Sequence, residues 1–286
     1  MGRKILTSPL LRWYDANKRD LPWRHTTNPW AILVSEVMSQ QTPVSRVAPV
    51  WVTWMRRWPT AADLAAASPA EVLRAWGHLG YPRRALRLQS AAAACIDGVP
   101  TTYEGLVALP GVGDYTARAV LIFAYGQPIP VVDINVRRVL YRLVDAQFLT
   151  PPARASDIAR IKSLSLATAT PAMMELGALI CTATNPHCAS CPLKDQCAWV
   201  AAGSPPPSAE ALAGRTVQKF TGTNRQVRGK IMALLRSATE PVPASTVDTV
   251  WPDRDMLTVA LDQLIEDGLV EQLPDGRVQL PSSPGR

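Results

Sequence analysis

The chain has 286 residues, 47% of them hydrophobic, and its 30 lysines and arginines exceed its 23 aspartates and glutamates to give a net charge of +7. The excess lies in residues 1–217, which carry 22 basic and 14 acidic side chains, the balance of a nucleic-acid-binding protein. The mean hydropathy is near zero, no apolar run reaches the roughly 18 residues of a membrane span, and the first residues lack the apolar run of a signal peptide.

Helical periodicity dominates the first 200 residues, where no stretch shows sustained strand alternation. Proline, glycine, serine and asparagine separate the periodic segments and indicate where each helix begins and ends. The pattern predicts helices at 6–17, 30–40, 43–57, 61–66, 69–78, 82–95, 102–108, 114–125, 134–144, 154–165 and 171–180. We therefore expect an all-α unit over residues 1–200.

The remainder of the chain predicts a linker and a small second domain. The stretch AAGSPPPSAEALAGR indicates a linker over 201–217. Residues 218–286 predict three helices, RQVRGKIMALLRSA, PASTVDTVW and DRDMLTVALDQLIEDGLV, and then a hairpin, EQLPDGRVQLP, that turns at Asp275 and Gly276. Three helices and a β wing are typical of a winged-helix-like α+β domain. The acidity of the third helix argues against its lying in a major groove.

The segment LPGVGDYTARAV, residues 109–120, places a bare turn in front of a predicted helix. Gly111 and Gly113 permit a positive φ and, with Val112 between them, leave the backbone open to close approach. Together with the positive end of the helix that begins at Asp114, the turn predicts a phosphate site that holds DNA without reading its sequence. The alternative is a tight turn between two helices that binds nothing.

Four of the five cysteines lie in CTATNPHCASCPLKDQC, at Cys181, Cys188, Cys191 and Cys197. An intracellular protein does not keep a disulfide cluster in so short a loop, so a metal site is the better interpretation. Four thiolates suit either a zinc ion or an iron–sulfur cluster, and the spacing alone does not choose between them.

Both motifs resemble those of the helix-hairpin-helix DNA glycosylases related to endonuclease III. The resemblance implies an all-α, two-lobed fold over residues 1–200, with a six-helix barrel lobe at about 24–128 and an iron–sulfur lobe formed by the N-terminal helix and 129–200. It also implies that the four cysteines hold one [4Fe–4S] cluster. Relatives with AP-lyase activity carry a lysine at the position of Tyr115, and a phenol cannot form the Schiff base that a lysine forms with the sugar. Tyr115 therefore implies a monofunctional glycosylase.

Two further segments, VSEVMSQQT at 34–42 and VVDINVRRV at 131–139, resemble the active site of the MutY family of adenine DNA glycosylases. The resemblance implies that Glu36 protonates adenine at N7 and that Asp133 stabilises the oxocarbenium-like sugar, with Asn135 and Tyr115 beside Asp133. Hydrolysis of an N-glycosidic bond needs such an acid and such a carboxylate. The plainer alternatives are a helix N-cap for Asp133 and a salt bridge for Glu36.

The same resemblance implies the residues that meet DNA. Gln41 would fill the space that the extruded adenine leaves, and Tyr81 would intercalate beside the opposite base. Arg83 and Arg84 are expected on phosphates, with a solvated helix face as the alternative. Residues in LPWR and MELGALICT are expected in the adenine pocket: Trp23, Arg24 and Glu175.

The resemblance implies a monomeric enzyme of the bacterial cytoplasm, at the nucleoid, that flips out and hydrolyses adenine opposite 8-oxoguanine or guanine in double-stranded DNA. One alternative is a thymine or uracil mismatch glycosylase of the same superfamily; Glu36 favours adenine, whose N7 needs an acid. The other is a non-catalytic iron–sulfur DNA-binding regulator, against which the presence of both Glu36 and Asp133 argues.

The tail departs from the family. MutY proteins commonly carry a Nudix-like C-terminal domain that helps to read 8-oxoguanine, and the 69 residues of 218–286 are too few for that fold. We expect the tail to serve recognition or the recruitment of a protein partner, and the chemistry to be complete without it.

Overall fold

A computed structural model describes residues 5–207, 212 and 220–283 of the chain. Within these ranges the mainly helical fold and the small strand pair near the C-terminus are confirmed. The predicted linker lies mostly outside the described residues, as do 218–219 and 284–286 of the tail. None of the described helices combines the length and apolar character that crossing a membrane requires.

The predicted helices begin and end within a few residues of the predicted positions, and one short helix, Ala198–Ala201, was not predicted. The α-helices are Ser8–Asn17, Pro29–Ser39, Val44–Arg57, Ala61–Ala66, Pro69–Trp76, Arg83–Ala93, Tyr103–Val107, Asp114–Phe123, Ile134–Asp145, Ser156–Ser163, Thr170–Leu179, Ala198–Ala201, Asn224–Ser237, Ala244–Val247 and Arg254–Glu266. Short 3₁₀ turns, which helical periodicity does not predict, lie at Pro22–His25, Ala167–Ala169, Cys188–Ser190 and Lys194–Gln196.

The chain packs as two compact units, each made of two separate stretches of sequence. The cysteine-loop unit comprises residues 1–25 and 114–216, and the tail-bearing unit comprises residues 26–113 and 217–286. The helix Asp114–Phe123 thus falls in the cysteine-loop unit. The boundaries predicted for the two lobes and for the tail domain stay predictions.

The helix Ile134–Asp145 lies at the centre of the cysteine-loop unit. Its apolar side chains share one core with those of neighbouring segments, and each such buried side chain contributes about 1.5–3 kcal/mol. Three of the four loop cysteines pack against the same core: Cys181, Cys191 and Cys197. The helix and the cysteine loop are therefore fixed relative to each other by one packed interior.

The helix Pro29–Ser39 is the most deeply buried element of the tail-bearing unit, with every residue from Trp30 to Met38 buried. Its N-terminus is capped by Asn28, whose side chain accepts hydrogen bonds from two backbone N–H groups of the first turn. A tryptophan cluster lies in the same unit, where the ring of Trp54 meets those of Trp58 and Trp76 edge-on, at 4.8 and 5.6 Å between centroids.

The tail forms the predicted three helices and hairpin. The strands Glu271–Gln272 and Val278–Gln279 pair antiparallel, and Gly276 has the positive φ of 83° that the turn requires. Val242 bridges to Val278 on the other side, which adds a third strand position. The helix Asn224–Ser237 packs on Pro69–Trp76 of the same unit, and Arg74 donates to the Ala238 carbonyl at 3.1 Å.

Candidate active site and nucleic-acid interface

The residues predicted from the sequence divide between the two units. The cysteine-loop unit contains Trp23, Arg24, Tyr115, Asp133, Asn135, Glu175 and the cysteines Cys181, Cys188, Cys191 and Cys197. The tail-bearing unit contains Glu36, Gln41, Tyr81, Arg83, Arg84, Gly111, Val112 and Gly113.

Asp133 is the N-cap of the helix Ile134–Asp145, as the plainer interpretation predicts. One carboxylate oxygen accepts from the Val136 N–H at 2.7 Å and the other accepts from the Asn135 amide at 2.6 Å. Burial raises the pKa of Asp133, against the opposing effect of these hydrogen bonds. The cap leaves a charged group in a poorly hydrated place, which suits a carboxylate that must stabilise a nearby positive charge.

A chain of hydrogen bonds connects Asp133 to the cysteine loop. Asn135 donates to Asp133 and in turn accepts from Arg138. The same guanidinium donates to the Gly177 carbonyl at 2.7 Å and to the Cys181 carbonyl at 2.6 Å. Sequence reasoning missed Arg138, although its position three residues after Asn135 places both on one helix face.

Gly177 allows the helix Thr170–Leu179 to approach this chain closely. A Cβ there would lie 2.6 Å from the Asn135 Cβ and 2.9 Å from the Asn135 carbonyl oxygen. No side chain fits at these distances unless Asn135 moves. The amide that orients Asp133 is therefore positioned by the absence of a side chain on the facing helix.

Gly177→Ala is expected to lower the free energy of unfolding by about 1–3 kcal/mol and to slow single-turnover base release, because it displaces Asn135. Thermal unfolding and single-turnover kinetics measure the two effects. Gly229→Ala is the matched control, since a Cβ added at that helical glycine would have nothing within 4 Å of it and alanine favours a helix. Equal effects at both glycines would contradict the close-approach argument.

Two predicted pocket residues, Arg24 and Glu175, are in contact. Glu175 is 1% exposed, and its carboxylate accepts from Arg24 at 2.9 Å and from Arg19 at 2.8 Å. Although burial opposes it, hydrogen bonds from Arg19 and Arg24 lower the pKa of Glu175 to about 2. The carboxylate is thus fully ionised at neutral pH and ties the turn Pro22–His25, with the half-buried Trp23, to the helix Thr170–Leu179.

The four loop cysteines are free thiols: Cys181 follows the helix Thr170–Leu179, and the other three lie on or next to two 3₁₀ turns. Burial raises the pKa of the Cys191 thiol to about 11, and the charges of the other three thiols act on it in the same direction. Across the residues that the structure describes, no three His, Cys, Asp or Glu side chains are arranged as ligands of one metal ion.

Arg142 lies against this loop and is 1% exposed. Its guanidinium donates to the Thr182 carbonyl at 2.7 Å and lies 3.4 Å from the Cys181 sulfur. Burial raises the pKa of the Cys181 thiol, and the charges of Arg142 and Arg138 oppose that rise. Four soft sulfur donors beside two buried cations are a donor set that fits a polynuclear, negatively charged thiolate centre.

Glu36 lies on the buried helix Pro29–Ser39 and is 8% exposed. Ile32, Leu33 and Val37 of the same helix are buried apolar residues. A carboxyl group in such surroundings is held where water is scarce, which is the environment that general acids use.

Gln41 and Tyr81 occupy two turns with unusual backbone conformations. Their φ angles are 55° and 46°, in the left-handed region that non-glycine residues rarely adopt, and both side chains are exposed. Such strain persists only where the surroundings fix it, and it is frequent at ligand-binding turns.

Arg84 fixes both turns, and its placement corrects the expectation that it contacts phosphate. It is 9% exposed, and its guanidinium donates to the Val37 carbonyl at 2.9 Å and to the Gly80 carbonyl at 3.0 Å. It also donates to Met38, Gln40, Thr42 and Leu79. Burial lowers the pKa of Arg84 to about 10, so the side chain stays charged at neutral pH. Both terminal nitrogens of the guanidinium donate to the protein, whereas the buried Nε has no hydrogen-bond partner, and the residue positions Gln41 and Tyr81.

Arg83 lies beside the tail: its guanidinium pairs with Asp267 at 2.9 Å. Asp267 also accepts from Arg228 of the first tail helix. Arg83 is about half exposed, and the structure leaves its predicted phosphate contact as a prediction.

The glycine turn at 109–113 uses its two glycines differently. Gly111 has a φ of 79°, and a Cβ there would lie 3.1 Å from the Arg87 Cβ. Gly113 has an ordinary φ and open space around it, so only Gly111 of the two adopts the positive φ that glycine permits. The Val112 side chain is buried, which leaves its backbone as the part that a phosphate would meet. Tyr115 is half-buried in the first turn of the following helix.

Comparison with known proteins places the chain in a family. Residues 34–151 match the HhH-GPD superfamily of base excision DNA repair proteins. An adenine DNA glycosylase of Mycolicibacterium smegmatis is 50% identical over 282 residues, which cover 95% of this chain and 94% of that protein. A thymine-DNA glycosylase of Aeropyrum pernix is 35% identical over 210 residues, which cover 68% of this chain and 94% of that protein.

The fold has a solved relative in an endonuclease III in a non-covalent complex with DNA. Superposition of this chain on that protein gives a TM-score of 0.58 at 26% sequence identity, over 68% of this chain and 94% of that chain.

The similarity to the mycobacterial enzyme extends through most of the tail, because it covers 95% of this chain. The thymine enzyme is similar over 68% of the chain and at lower identity. The chain therefore belongs to the HhH-GPD superfamily of base excision DNA repair proteins and, within it, to the adenine DNA glycosylases.

Proposed function

We propose that this protein is a monofunctional DNA glycosylase that releases adenine opposite 8-oxoguanine or guanine in double-stranded DNA. The observation that carries the proposal is the capped, half-buried carboxylate of Asp133, in a chain that is 50% identical to an adenine DNA glycosylase and keeps a buried Glu36. The proposal extends that relative's activity to this chain. It adds that the base opposite the adenine is 8-oxoguanine or guanine.

In this proposal Glu36 gives a proton to adenine N7, which makes the neutral base the leaving group. Asp133 then stabilises the positive charge that develops at the sugar C1′, and a water molecule adds there and gives a proton back to Glu36, which leaves an abasic site with the backbone intact. Asn135 holds the Asp133 carboxylate in place through its 2.6 Å hydrogen bond. The base leaves the duplex first, and Gln41 and Tyr81, on their fixed turns, offset part of the cost of unstacking.

The test is single-turnover reaction of duplexes with adenine opposite 8-oxoguanine, guanine or thymine, and of thymine opposite guanine, each with and without hot alkali. We expect strand breaks only after alkali, and only where adenine faces a guanine-type base. Cleavage of the thymine duplex would instead support the thymine mismatch activity, which the 35% identity to a thymine-DNA glycosylase keeps as the second candidate. Binding without base release from any duplex would support the regulator.

Tyr115→Lys is expected to add strand cleavage without alkali, because an amine at this position can attack C1′ and form a Schiff base. Reduction with borohydride then traps a covalent complex between protein and DNA, which gel electrophoresis resolves. Tyr115→Phe is the control and forms no covalent complex. Trapping by the unchanged protein would contradict the monofunctional assignment.

We also propose that Cys181, Cys188, Cys191 and Cys197 hold one [4Fe–4S] cluster. The support is chemical: one short loop holds four thiols without disulfides, Arg138 donates to the Cys181 carbonyl, and the Arg142 guanidinium lies 3.4 Å from the Cys181 sulfur. In this role the cluster cross-links the loop to the core and shapes a surface for DNA.

Protein purified without oxygen is expected to contain four iron and four sulfide per chain and to show a broad visible absorbance. Cys188→Ser is expected to lose the iron, whereas Cys95→Ser, at the buried fifth cysteine, keeps it. One zinc and no sulfide per chain would instead assign the loop to zinc.

A further inference from the structure

One arginine of the tail-bearing unit lies along the glycine turn at 109–113. A Cβ added to Gly111 would lie 3.1, 3.6 and 3.9 Å from the Cβ, Cδ and Cγ atoms of Arg87. Three carbons of the Arg87 stem therefore run beside the Gly111 backbone. The guanidinium begins one bond, about 1.5 Å, beyond Cδ, so its positive charge lies next to the turn.

The guanidinium of Arg87 is free, in contrast to those of the two arginines at the start of the same helix. Arg83 pairs with Asp267, and Arg84 donates to buried carbonyls. The Arg87 side chain is exposed, and its guanidinium has no hydrogen bond, ion pair or ring contact with any residue that the structure describes. Its charge is thus available to a ligand from solution.

The packing of the Arg87 stem prepares the side chain for binding. An arginine loses rotamer freedom when a ligand fixes it, which opposes binding. Packing of the aliphatic stem removes part of that freedom beforehand, while the charged head stays in water. A molecule that approaches the turn therefore meets a cation that is already oriented.

The turn itself engages two of its polar groups within the protein. The Val112 N–H donates to the Leu109 carbonyl at 3.1 Å, and the Gly111 carbonyl accepts from the Gln40 side chain at 3.4 Å. The first of these bonds uses a donor that an anion would otherwise accept from. Backbone N–H groups alone therefore hold an anion less strongly here than the glycines predict, and a charged side-chain donor beside the turn adds to them.

We propose that Arg87 binds a backbone phosphate of DNA at the glycine turn, so that a side-chain cation holds the DNA there together with the backbone of the turn. The planar guanidinium matches two oxygens of one phosphate, which gives the contact a direction as well as a charge. The contact reads no base, since phosphates carry no direct sequence information. The inference rests on the proposed function only for its register, because the mispair fixes which phosphate meets the turn.

The test replaces one phosphate at a time by an uncharged methylphosphonate. The replacements run along both strands of a duplex in which a 2′-fluorinated adenosine, which resists hydrolysis, lies opposite 8-oxoguanine. Fluorescence anisotropy measures each affinity at one fixed salt concentration, and the unchanged protein is expected to lose affinity wherever it binds the replaced phosphate. Arg87→Met keeps a stem of similar length without the charge. In this variant one of the sensitive positions is expected to lose its effect while the others keep theirs.

Arg87→Met is also expected to weaken binding to the unmodified duplex by about tenfold. The slope of the logarithm of affinity against the logarithm of salt concentration is expected to fall by about 1. Arg87→Lys is expected to keep this slope and the sensitivity at the same phosphate, since its ammonium group carries the same charge to the same place.

Arg56→Met is the matched control. Arg56 is an exposed arginine of the helix Val44–Arg57 in the same unit, and its side chain likewise has no partner among the described residues. Its loss removes one positive charge away from the turn. It is therefore expected to leave the effect at the Arg87-dependent phosphate unchanged.

The same sensitive phosphates in Arg87→Met as in the unchanged protein would overturn the inference, and so would loss of the same position in Arg56→Met. Thermal unfolding checks that Arg87→Met folds; if it does not, Arg87→Gln and Arg87→Lys give the same comparison between a neutral and a charged side chain. The proposed function fails separately, if the unchanged protein releases no adenine from any mispaired duplex. An Arg87-dependent phosphate without base release would contradict the proposed function and support the inference.

Discussion

Asp133→Asn is expected to slow adenine release in a single turnover by about a thousandfold or more, while DNA affinity stays close to that of the unchanged protein. Asparagine retains the oxygen that caps the helix at Val136, so the fold is preserved. It removes the negative charge that stabilises the sugar cation. That stabilisation acts only in the transition state, as the bond between the sugar and the base breaks. Rapid-quench kinetics with saturating protein measures the rate, and anisotropy measures the affinity.

Asp253→Asn provides the control. Asp253 caps the helix Arg254–Glu266 in the same way, since its carboxylate accepts from the Met256 N–H at 3.0 Å. If capping were the function of Asp133, both variants would behave alike. Glu36→Gln tests the acid separately and is also expected to abolish release, because a side-chain amide is far too weak an acid to protonate N7. Turnover at the normal rate in both Asp133→Asn and Glu36→Gln would remove both carboxylates from the mechanism.

Arg84→Met is expected to lower the free energy of unfolding by about 3 kcal/mol or more, because several carbonyls lose a charged donor at once. These include the Val37, Leu79 and Gly80 carbonyls, which lie in or beside the two DNA-facing turns. The loss of the bridge also releases Gln41 and Tyr81 from their left-handed conformations. Chemical denaturation measures the stability, and DNA affinity is expected to fall together with it.

Arg83→Met is the matched control at the next position in the chain. Arg83 is about half exposed and pairs with Asp267, so its loss is expected to cost less than about 1 kcal/mol. A smaller loss of stability from Arg84→Met than from Arg83→Met would show that the buried hydrogen bonds do not hold the two turns.

These two arginines show where sequence reasoning succeeds and where it stops. Periodicity and capping signals predict the helix that begins at Arg83, because both are local properties of the chain. In the sequence PRRA no local feature distinguishes the two arginines. Arg84 nevertheless donates to backbone carbonyls in the interior, whereas Arg83 pairs with Asp267 of the tail. Which of them faces the interior depends on the rotation of the helix within the packed unit, and no local pattern encodes that.

The residues of the candidate site likewise fall into those that the sequence predicts and those that it does not. Asp133, Glu36 and the cysteines are recognisable because their motifs are contiguous and their spacing is distinctive. Arg138 and Gly177 are not, since their roles exist only after the helices Ile134–Asp145 and Thr170–Leu179 have packed together. The contact between Tyr81 and Arg225 is a further case, because the two residues are 144 positions apart in the sequence.

The sharing of Asp267 by Arg83 and Arg228 has a consequence for how salt titrations of DNA binding are interpreted. The slope of the logarithm of affinity against the logarithm of salt concentration is commonly converted into a number of neutralised phosphates. Here, salt also screens the ion pairs that anchor the tail, so one titration reports two equilibria. The slope is therefore expected to overestimate the phosphate contacts, and Asp267→Asn, which weakens the anchoring at every salt concentration, is expected to reduce it toward the true number.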